Sequence, residues 1–319
     1  MNLLILCVLL VAIELLYFSL AKKFNIVDIP NTRSSHANVT IRGGGIIFFF
    51  SILFFFISSG GTYIYFFIGL FFMTLISFLD DIFDLPNRTR LIIHFGSVML
   101  LAMELNMFSL PWYYLILMFT IVVGVINAYN FMDGINGITT SYSLSVIILL
   151  MITNADVKFV EQALLSYTLV SVLIFGFFNF RLNAKAFAGD VGSVSIAYIL
   201  LFCLGSLIIA SENFIYILFL AVYGVDTVWT IIARVLKREN IFTAHRTHLY
   251  QYLVNEARCN KLIIASMYGF VQLSLGVLVI YLTRYNFLVQ VSFSLCILLI
   301  LSISYLLVKR YVVSRYVLS

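Results

Sequence analysis

Eleven long apolar runs, separated by short polar segments, constrain this 319-residue chain more than any other feature. A helix needs about 20 apolar residues to cross a bilayer, where only helices and closed barrels satisfy their own backbone groups. Hydrophobic residues make up 63% of the chain and charged residues 10%, whereas a soluble domain carries about 25% charged residues. The sequence therefore predicts an all-α polytopic membrane protein. The runs lie at about 3–20, 44–59, 63–79, 91–107, 112–129, 137–153, 163–180, 190–209, 214–232, 262–282 and 287–308.

We expect a single membrane domain over 1–319, with its longest loop at about 233–261. The second run is short for a full crossing, and no strand-like alternation supports a barrel. The first run has no basic segment before it, and Lys22 and Lys23 follow it in place of a convincing signal-peptide cleavage site. We interpret it as a retained helix.

The distribution of Lys and Arg predicts the orientation. With eleven crossings, one side of the membrane receives seventeen basic residues and the other receives only Lys158 and Arg284. Because basic loops stay in the cytoplasm, we expect the N-terminus outside and the C-terminus inside. Every unusual polar cluster also falls on the basic side, so we expect the active site on the cytoplasmic face.

The distribution of charge argues against a nucleic-acid-binding protein, and the cysteine positions argue against a disulfide-linked or zinc-binding protein. The net charge is only +5, and the basic residues are scattered among loops, so nucleic-acid binding has little support. Cys7, Cys203 and Cys296 lie in apolar runs and Cys259 lies in a basic loop. This pattern contains neither a disulfide framework nor a zinc spacing.

The segment between the fifth and sixth runs reads Asn-Ala-Tyr-Asn-Phe-Met-Asp-Gly-Ile-Asn-Gly. Asn127, Asn130 and Asp133 recur every third residue, so on a helix end they lie near one another. Gly134 then allows a tight turn or the close approach of a ligand. A capped helix end followed by a turn explains this stretch alone equally well. Four other polar clusters on the same side favour a functional site, because polar groups at membrane depth are costly.

The third run ends in adjacent carboxylates. Asp80 and Asp84 share one face of a helix, and Asp81 lies about 100° away from them. Like charges at this spacing repel unless a cation or basic partners lie among them. Solvated capping is the alternative, but carboxylate oxygens suit Mg²⁺ that is completed by phosphate and water, so we favour magnesium binding or proton transfer.

Two glycine-containing motifs precede apolar runs. Arg42, Gly43 and Gly44 lie at the start of the second run, where backbone amides and a guanidinium could bind an anion, although a flexible loop is the simpler explanation. The second motif is Gly-Asp-x-Gly-Ser, in which Asp190 lies where the backbone can fold tightly around a ligand.

The longest loop contains His245, Arg246 and His248. Two histidines and an arginine this close together can bind phosphate or act in proton transfer. Zinc is the competing ligand, but no further histidine or cysteine pair completes a site. We interpret Asp226, in the ninth run, as a structural polar contact. Glu14, His94 and Glu104 are treated in the same way, as helix polar groups without an assigned role.

Together, the ordered motifs resemble the polyprenyl-phosphate N-acetylhexosamine-1-phosphate transferase family. This family includes bacterial enzymes that begin O-antigen and teichoic-acid lipid carriers, and the translocase of peptidoglycan synthesis. The resemblance covers nearly the whole chain. It rests on Asp80-Asp81 with Asp84, Asn127-x-x-Asn130-x-x-Asp133-Gly, Gly189-Asp190-x-Gly192-Ser193 and His245-Arg246-x-His248.

The resemblance implies transfer of a sugar-1-phosphate, in the default case N-acetylhexosamine-1-phosphate, from a UDP-sugar to undecaprenyl phosphate with release of UMP. It also implies the bacterial cytoplasmic membrane as the location, Mg²⁺ as cofactor with Mn²⁺ as a substitute, and a homodimer. UDP-N-acetylhexosamines and UDP-deoxy-aminosugars are equally compatible donors.

By the same resemblance, the site residues divide into three groups. Asn130 and Asp190 bind the metal. Asp80 and Asp81 position or deprotonate the lipid phosphate, and Asp133 lies at the nucleotide side. The substrate and phosphate groups are held by Arg42, Gly43, Gly44, Asn127, His245, Arg246 and His248.

The chain departs from the family pattern at three places. Asn136 stands where many relatives carry a second aspartate, so we assign it no catalytic charge, and Ile41 stands where proline is common. The last loop lacks the histidine triplet of the peptidoglycan translocase, which favours the surface-polysaccharide branch over phospho-muramyl-pentapeptide transfer. A secondary transporter or lipid flippase is the alternative from another class, but it should place charges near the bilayer midplane and show internal repeats.

Overall fold

The computed structural model describes residues 1–30, 38–83, 85–240 and 246–317, and describes only the backbone of Asn87. Asp84 and His245, which the sequence singled out, lie outside the described residues. The described chain is helical apart from turns, loops and one pair of strands. The helices are α1 (Leu3–Lys23), α2 (Ile47–Ser58), α3 (Ile64–Phe83), α4 (Asn87–Glu104), α5 (Trp112–Met132), α6 (Ile138–Val157), α7 (Gln162–Asn179), α8 (Gly189–Ser211), α9 (Ala221–Leu236), α10 (Leu249–Gln251), α11 (Lys261–Leu282) and α12 (Phe287–Tyr316).

Each predicted apolar run contains a helix, which confirms the fold class. In the described part of the chain, nine helical segments are long and apolar enough to cross a membrane. Two further segments occupy predicted runs: the shorter Gly44–Ser58 helix, and α4, which carries three charged residues. The number of crossings and the orientation stay predictions. The longest loop begins later than expected, because α9 continues to Leu236.

A small β-ribbon joins the first loop to the start of α8. Strand β1 (Val27–Asp28) pairs antiparallel with β2 (Thr40–Ile41). The amide of Phe187 then donates to the carbonyl oxygen of Ile41 at 2.8 Å. Strands of two residues are too short to produce an alternating sequence pattern, which is why the sequence did not predict them.

Helix α8 lies at the centre of the bundle. In its most apolar window 78% of the residues are buried, against 11% for α12. Gly69 of α3 leaves room for Tyr198, whose hydroxyl donates to the carbonyl oxygen of Ser97 at 2.7 Å. The hydroxyls of Thr74 and Ser195 also lie 2.8 Å apart. These contacts fix α3 and α4 against α8 in the layer adjacent to the polar clusters.

The helix of the ninth predicted run is interrupted, and a buried glutamine binds the backbone groups that the interruption leaves without helical partners. A 3₁₀ segment, Phe214–Leu220, precedes α9. Gln272 of α11 accepts the amide of Val222 at 3.1 Å and donates to the carbonyl oxygen of Leu218 at 3.0 Å. Non-helical backbone is tolerated at membrane depth only where protein groups satisfy it. Gln272 therefore makes this irregular span possible.

Candidate active site

Five charged side chains meet at one end of α3, α4 and α8, beside the segment that precedes α2. The Nε atom of Arg42 lies 2.7 Å from Asp81 Oδ1, and a terminal nitrogen lies 3.6 Å from Asp190 Oδ1. Arg90 makes a similar bridge, 2.7 Å from Asp80 Oδ2 and 3.5 Å from Asp190 Oδ2. Asp190 thus lies between two guanidinium groups. We call these five residues the carboxylate cluster.

Asp81 positions the start of α8. Its side chain is 0% exposed, and its two oxygens accept the backbone amides of Asp190 and Val191, each at 3.0 Å. The first amides of a helix have no partner within the helix, and an acidic group there also interacts favourably with the helix dipole. Asp81 therefore fixes α8 to α3 and places Asp190. Its predicted contact with a lipid phosphate stays a prediction.

Arg90 is the member of the carboxylate cluster that the sequence analysis did not select. It lies in the first turns of α4, and it pairs with Asp80, whose other oxygen accepts the amide of Leu85 at 2.8 Å. The adjacency of α3 and α4 could have suggested the Asp80 pair. Its second partner, Asp190, is 100 positions away in the chain, and no local pattern indicates that contact.

The glycine run packs against the start of α8. Gly43 has φ of +82°, in the left-handed region that favours glycine. The amide of Gly44 donates to the carbonyl oxygen of Phe187 at 2.8 Å, so it is used inside the protein and does not form the predicted anion cradle. A Cβ on Gly45 would lie 2.3 Å from the Cα of Gly192. The run permits a close approach of two backbones, and phosphate binding by Gly43 stays a prediction.

The turn between α5 and α6 brings a further carboxylate near the cluster. Asp133 follows the last residue of α5 and accepts a hydrogen bond from the Thr139 hydroxyl at 2.5 Å. Burial raises the pKa of Asp133 to about 7, and the negative charges of Asp190 and Asp81 add to this rise. Asp133 is therefore within electrostatic range of the cluster.

The two asparagines of the same motif differ in environment. Asn130 is half-buried one turn before Asp133. Asn127 is exposed, and its amide donates to the carbonyl oxygen of Val123 in its own helix at 2.8 Å. Asn130 therefore lies one turn from Asp133, and its binding of a metal stays a prediction, whereas the recorded bond of Asn127 is within its own helix.

Asn136, the departure from the family pattern, has a structural role. Its amide donates to the carbonyl oxygen of Arg181 at 2.7 Å. Nearby, Asn179 accepts the amide of Gly137 at 2.8 Å and donates to the carbonyl oxygen of Ala186 at 2.9 Å. These bonds fasten the α5–α6 turn to the segment that precedes α8. An uncharged amide suits this position because its partners include carbonyl oxygens.

The longest loop presents Arg246 and buries His248. Arg246 is half-buried and lies 3.2 Å from Glu256. The side chain of His248 is 1% exposed, and its Nδ1 lies 3.0 Å from Asp226 Oδ1. Asp226 thus makes the structural contact expected of it, and its partner is a residue that we had expected to bind phosphate. In this structure His248 anchors the loop, and its contact with phosphate stays a prediction.

The oxygen donors at this end of the protein fit a magnesium ion that substrate helps to complete. In the described ranges, no three His, Cys, Asp or Glu side chains are close enough to form a metal site unaided. Mg²⁺ is commonly held by one or two carboxylates together with phosphate oxygens and water. Asp190 is the open carboxylate of the cluster, since both guanidinium contacts are 3.5 Å or longer. Asn130 and Asp133 add an amide and a carboxylate nearby.

Comparison with known proteins points to one family. The family model described as glycosyl transferase family 4 matches residues 63–211, which include Asp80, Asp81, Asn130, Asp133 and Asp190. A probable undecaprenyl-phosphate N-acetylglucosaminyl 1-phosphate transferase of Bacillus subtilis (strain 168) is 27% identical over 280 residues, covering 79% of this chain and 76% of the relative.

A second relative leads to the same family. The undecaprenyl-phosphate alpha-N-acetylglucosaminyl 1-phosphate transferase of Thermotoga maritima is 26% identical over 242 residues, covering 72% of this chain and 73% of the relative. Both alignments are longer than the part matched by the family model. The chain is thus similar to glycosyl transferase family 4 over residues 63–211, and to two undecaprenyl-phosphate N-acetylglucosaminyl 1-phosphate transferases over more than two thirds of its length.

Proposed function

We propose that this protein transfers N-acetylglucosamine 1-phosphate from UDP-N-acetylglucosamine to undecaprenyl phosphate, with release of UMP. The observation that carries the proposal is the carboxylate cluster, in which three aspartates and two arginines from four segments meet at one end of the bundle. The names of both relatives supply the sugar and the lipid carrier. The product would initiate a lipid-linked polysaccharide of the cell surface.

The cluster suits phosphoryl transfer because this chemistry depends mainly on alignment and charge neutralisation. Arg42 and Arg90 each present one guanidinium to Asp190 and one shorter contact to an aspartate of α3. The carboxylates hold the two guanidinium groups in place before substrate arrives. Both cations can then interact with the phosphates of the donor and of the lipid.

Asp190 and Asn130 would hold a magnesium ion in this site, with Asp133 at the nucleotide side. The bound ion would neutralise the diphosphate and act as a Lewis acid. Asp80, which accepts the amide of Leu85 in the loop between α3 and α4 and pairs with Arg90, would position the lipid phosphate or receive its proton. Manganese would substitute for magnesium because it accepts the same oxygen ligands.

An apolar cavity on the same helices suits the lipid substrate. It has a volume of about 570 Å³ and lies along the half of α5 remote from Asn130, between α5, α4 and α8. Its lining includes Leu101, Tyr114, Leu117 and Leu204. Aliphatic and aromatic walls match an isoprenoid chain by van der Waals packing. Because the cavity lies at the end of these helices remote from the cluster, it would hold a distal part of the isoprenoid chain while the lipid phosphate lies at the cluster.

The other functions considered have less support. Transfer of phospho-muramyl-pentapeptide is not favoured, since both relatives are named as N-acetylglucosaminyl transferases. A transporter should have charged sites reachable from both sides, whereas the cluster lies at one end of the helices. We place the site on the cytoplasmic face of the bacterial inner membrane, where UDP-sugars are made, and we propose a homodimer by analogy with the family.

The proposal is tested by UMP release from purified protein in nanodiscs. Undecaprenyl phosphate is combined with a panel of UDP-N-acetylhexosamines and UDP-deoxy-aminosugars, with magnesium, with manganese and with EDTA. We expect UDP-N-acetylglucosamine to give the fastest release, EDTA to abolish it, and Asp190→Asn to lower it about 10³-fold. Asp156→Asn is the matched control, because Asp156 is an exposed aspartate at the other end of the bundle.

Each result has a clear meaning. Release with another UDP-sugar would keep the reaction and change the donor. Release that persists in EDTA would remove the metal from the proposal. If no donor gives UMP while the protein still binds the lipid phosphate, the transferase proposal is wrong.

A further inference from the structure

A buried polar network joins the longest loop to three helices that contribute nothing to the carboxylate cluster. Asp226 of α9 is 2% exposed and accepts hydrogen bonds from the Tyr268 hydroxyl of α11 at 2.7 Å and the amide of Leu249 at 3.2 Å. It also holds the ring of His248 at 3.0 Å. Buried polar groups in a membrane bundle are costly unless they serve a purpose, and this network surrounds the loop of the predicted site.

Lys309 completes the network from the last helix. Its ammonium group donates to the backbone carbonyl oxygen of Thr247 at 2.7 Å and to the hydroxyl of Tyr305 at 2.5 Å. A third contact reaches the Thr230 hydroxyl at 3.5 Å. An ammonium has three protons to donate, so each proton of Lys309 has an acceptor. One of these acceptors is the main chain of the loop, between Arg246 and His248.

Two hydroxyl groups link Lys309 to Asp226. The Thr230 hydroxyl lies 3.3 Å from Asp226 Oδ1 and 2.9 Å from the Tyr305 hydroxyl. Both hydroxyls also contact Lys309. The opposite charges offset the cost of burying each other, and truncating one partner would leave the other charge uncompensated. We call Asp226, Thr230, His248, Tyr268, Tyr305 and Lys309 the anchor network.

The anchored loop contacts the Asp133 turn directly. Tyr250, two residues after His248, is fully buried and its hydroxyl donates to the carbonyl oxygen of Phe131 at 2.9 Å. A Cβ on Gly134 would collide with the same hydroxyl. The loop that Lys309 holds therefore lies against the turn that carries Asp133.

We propose that Lys309 is a positioning residue for the nucleotide-sugar side of the site. By holding the Thr247 carbonyl oxygen, it fixes Arg246 in place and, through Tyr250, supports the Asp133 turn. This inference rests on the proposed function and on the phosphate contact that the sequence analysis predicts for Arg246. Lys309 lies 62 positions beyond Thr247 in the chain and contacts its backbone carbonyl oxygen, not a side chain predicted to bind substrate.

The test compares Lys309→Met, Lys309→Arg and the control Arg310→Met, which changes the adjacent, exposed residue of the same helix. UMP release is measured as a function of UDP-N-acetylglucosamine concentration. We expect Lys309→Met to raise KM about tenfold while kcat changes less than about threefold, because uniform binding is lost. Lys309→Arg should have a KM between those of Lys309→Met and the unchanged protein. Arg310→Met should have the KM of the unchanged protein.

A second readout does not depend on activity. Hydrogen exchange without substrate should show faster exchange in Lys309→Met for the amides of residues 246–256, with the rest of the protein unchanged. A purely structural role would lower the amount of active enzyme at constant KM. Constant KM with unchanged loop exchange, or faster exchange throughout the chain, would overturn the proposal. If the unchanged protein releases no UMP, the proposed function fails separately, and loop exchange alone decides this inference.

Discussion

The carboxylate cluster and the anchor network are built from the same kinds of groups but differ in access to solvent. In the cluster, the side chains of Arg42 and Asp190 are 35% and 19% exposed, and the contacts of Asp190 are long. In the network, Asp226 and His248 are 2% and 1% exposed, and every oxygen of Asp226 is used. A partly exposed carboxylate with long contacts can exchange those contacts for a substrate or a metal ion. A buried carboxylate whose oxygens are both hydrogen-bonded stabilises the packing of the segments around it. Changes in the cluster should therefore lower kcat, whereas changes in the network should act through the fold, either on stability or on the position of the loop.

The largest expected effect on rate among the residues that the sequence analysis missed is at Arg90. Arg90→Met should lower kcat/KM about 10²–10³-fold, because one guanidinium that bridges Asp80 and Asp190 is lost from the charge-neutralising site. UMP release would be measured beside Arg88→Met, the exposed arginine of the same turn. Arg90→Lys should fall between the two, since an ammonium cannot make the bidentate bridge. Equal activity of Arg90→Met and Arg88→Met would contradict a functional cluster.

The next effect is on stability, at Asp226. Asp226→Asn should lower the free energy of unfolding by about 3 kcal/mol, because His248, Tyr268 and Leu249 lose a charged acceptor in a buried setting. The expected fall in Tm is about 5 °C. Thermal unfolding in detergent would be compared with Asp156→Asn. An unchanged Tm would show that the network does not support the fold.

The smallest expected effect is the pH dependence of stability at Asp133, a buried carboxylate near the cluster. Burial raises the pKa of Asp133 from its ordinary value of 3.8 to about 7, so its contribution to stability is fully present below about pH 4 and is lost as pH rises from there to 7. In EDTA, Asp133→Asn should match the unchanged protein most closely near pH 4 and should exceed its Tm by about 2–5 °C at pH 8. A difference that is the same at both pH values would mean that Asp133 is not destabilised by its charge.

The sequence predicted the helices because hydropathy is a local property that survives folding. It also predicted Asp80, Asp81 and Asp190 on one side of the membrane, because successive loops of a spanning bundle alternate sides. The rest depends on contacts between distant segments. Arg90 meets Asp190 across 100 positions, and the amide of Gly44 is used by Phe187, far along the chain.

The same limit applies to the longest loop. The pattern of His245, Arg246 and His248 indicates anion binding, and nothing local indicates that His248 turns inward to Asp226. The direction of a side chain is set by its partners on α9 and α11, which precede and follow the loop. Lys309, more than 60 positions beyond Thr247, could not be connected with the loop from sequence spacing.

The break in the ninth span has a consequence for membrane insertion. The amide of Val222 and the carbonyl oxygen of Leu218 obtain their partner from Gln272, which is made 50 to 54 residues later. Until that glutamine arrives, these groups must be satisfied by water or by the insertion machinery, because lipid offers no partner. The ninth span should therefore complete its transfer into lipid together with α11, so that the two segments enter the bilayer as a pair.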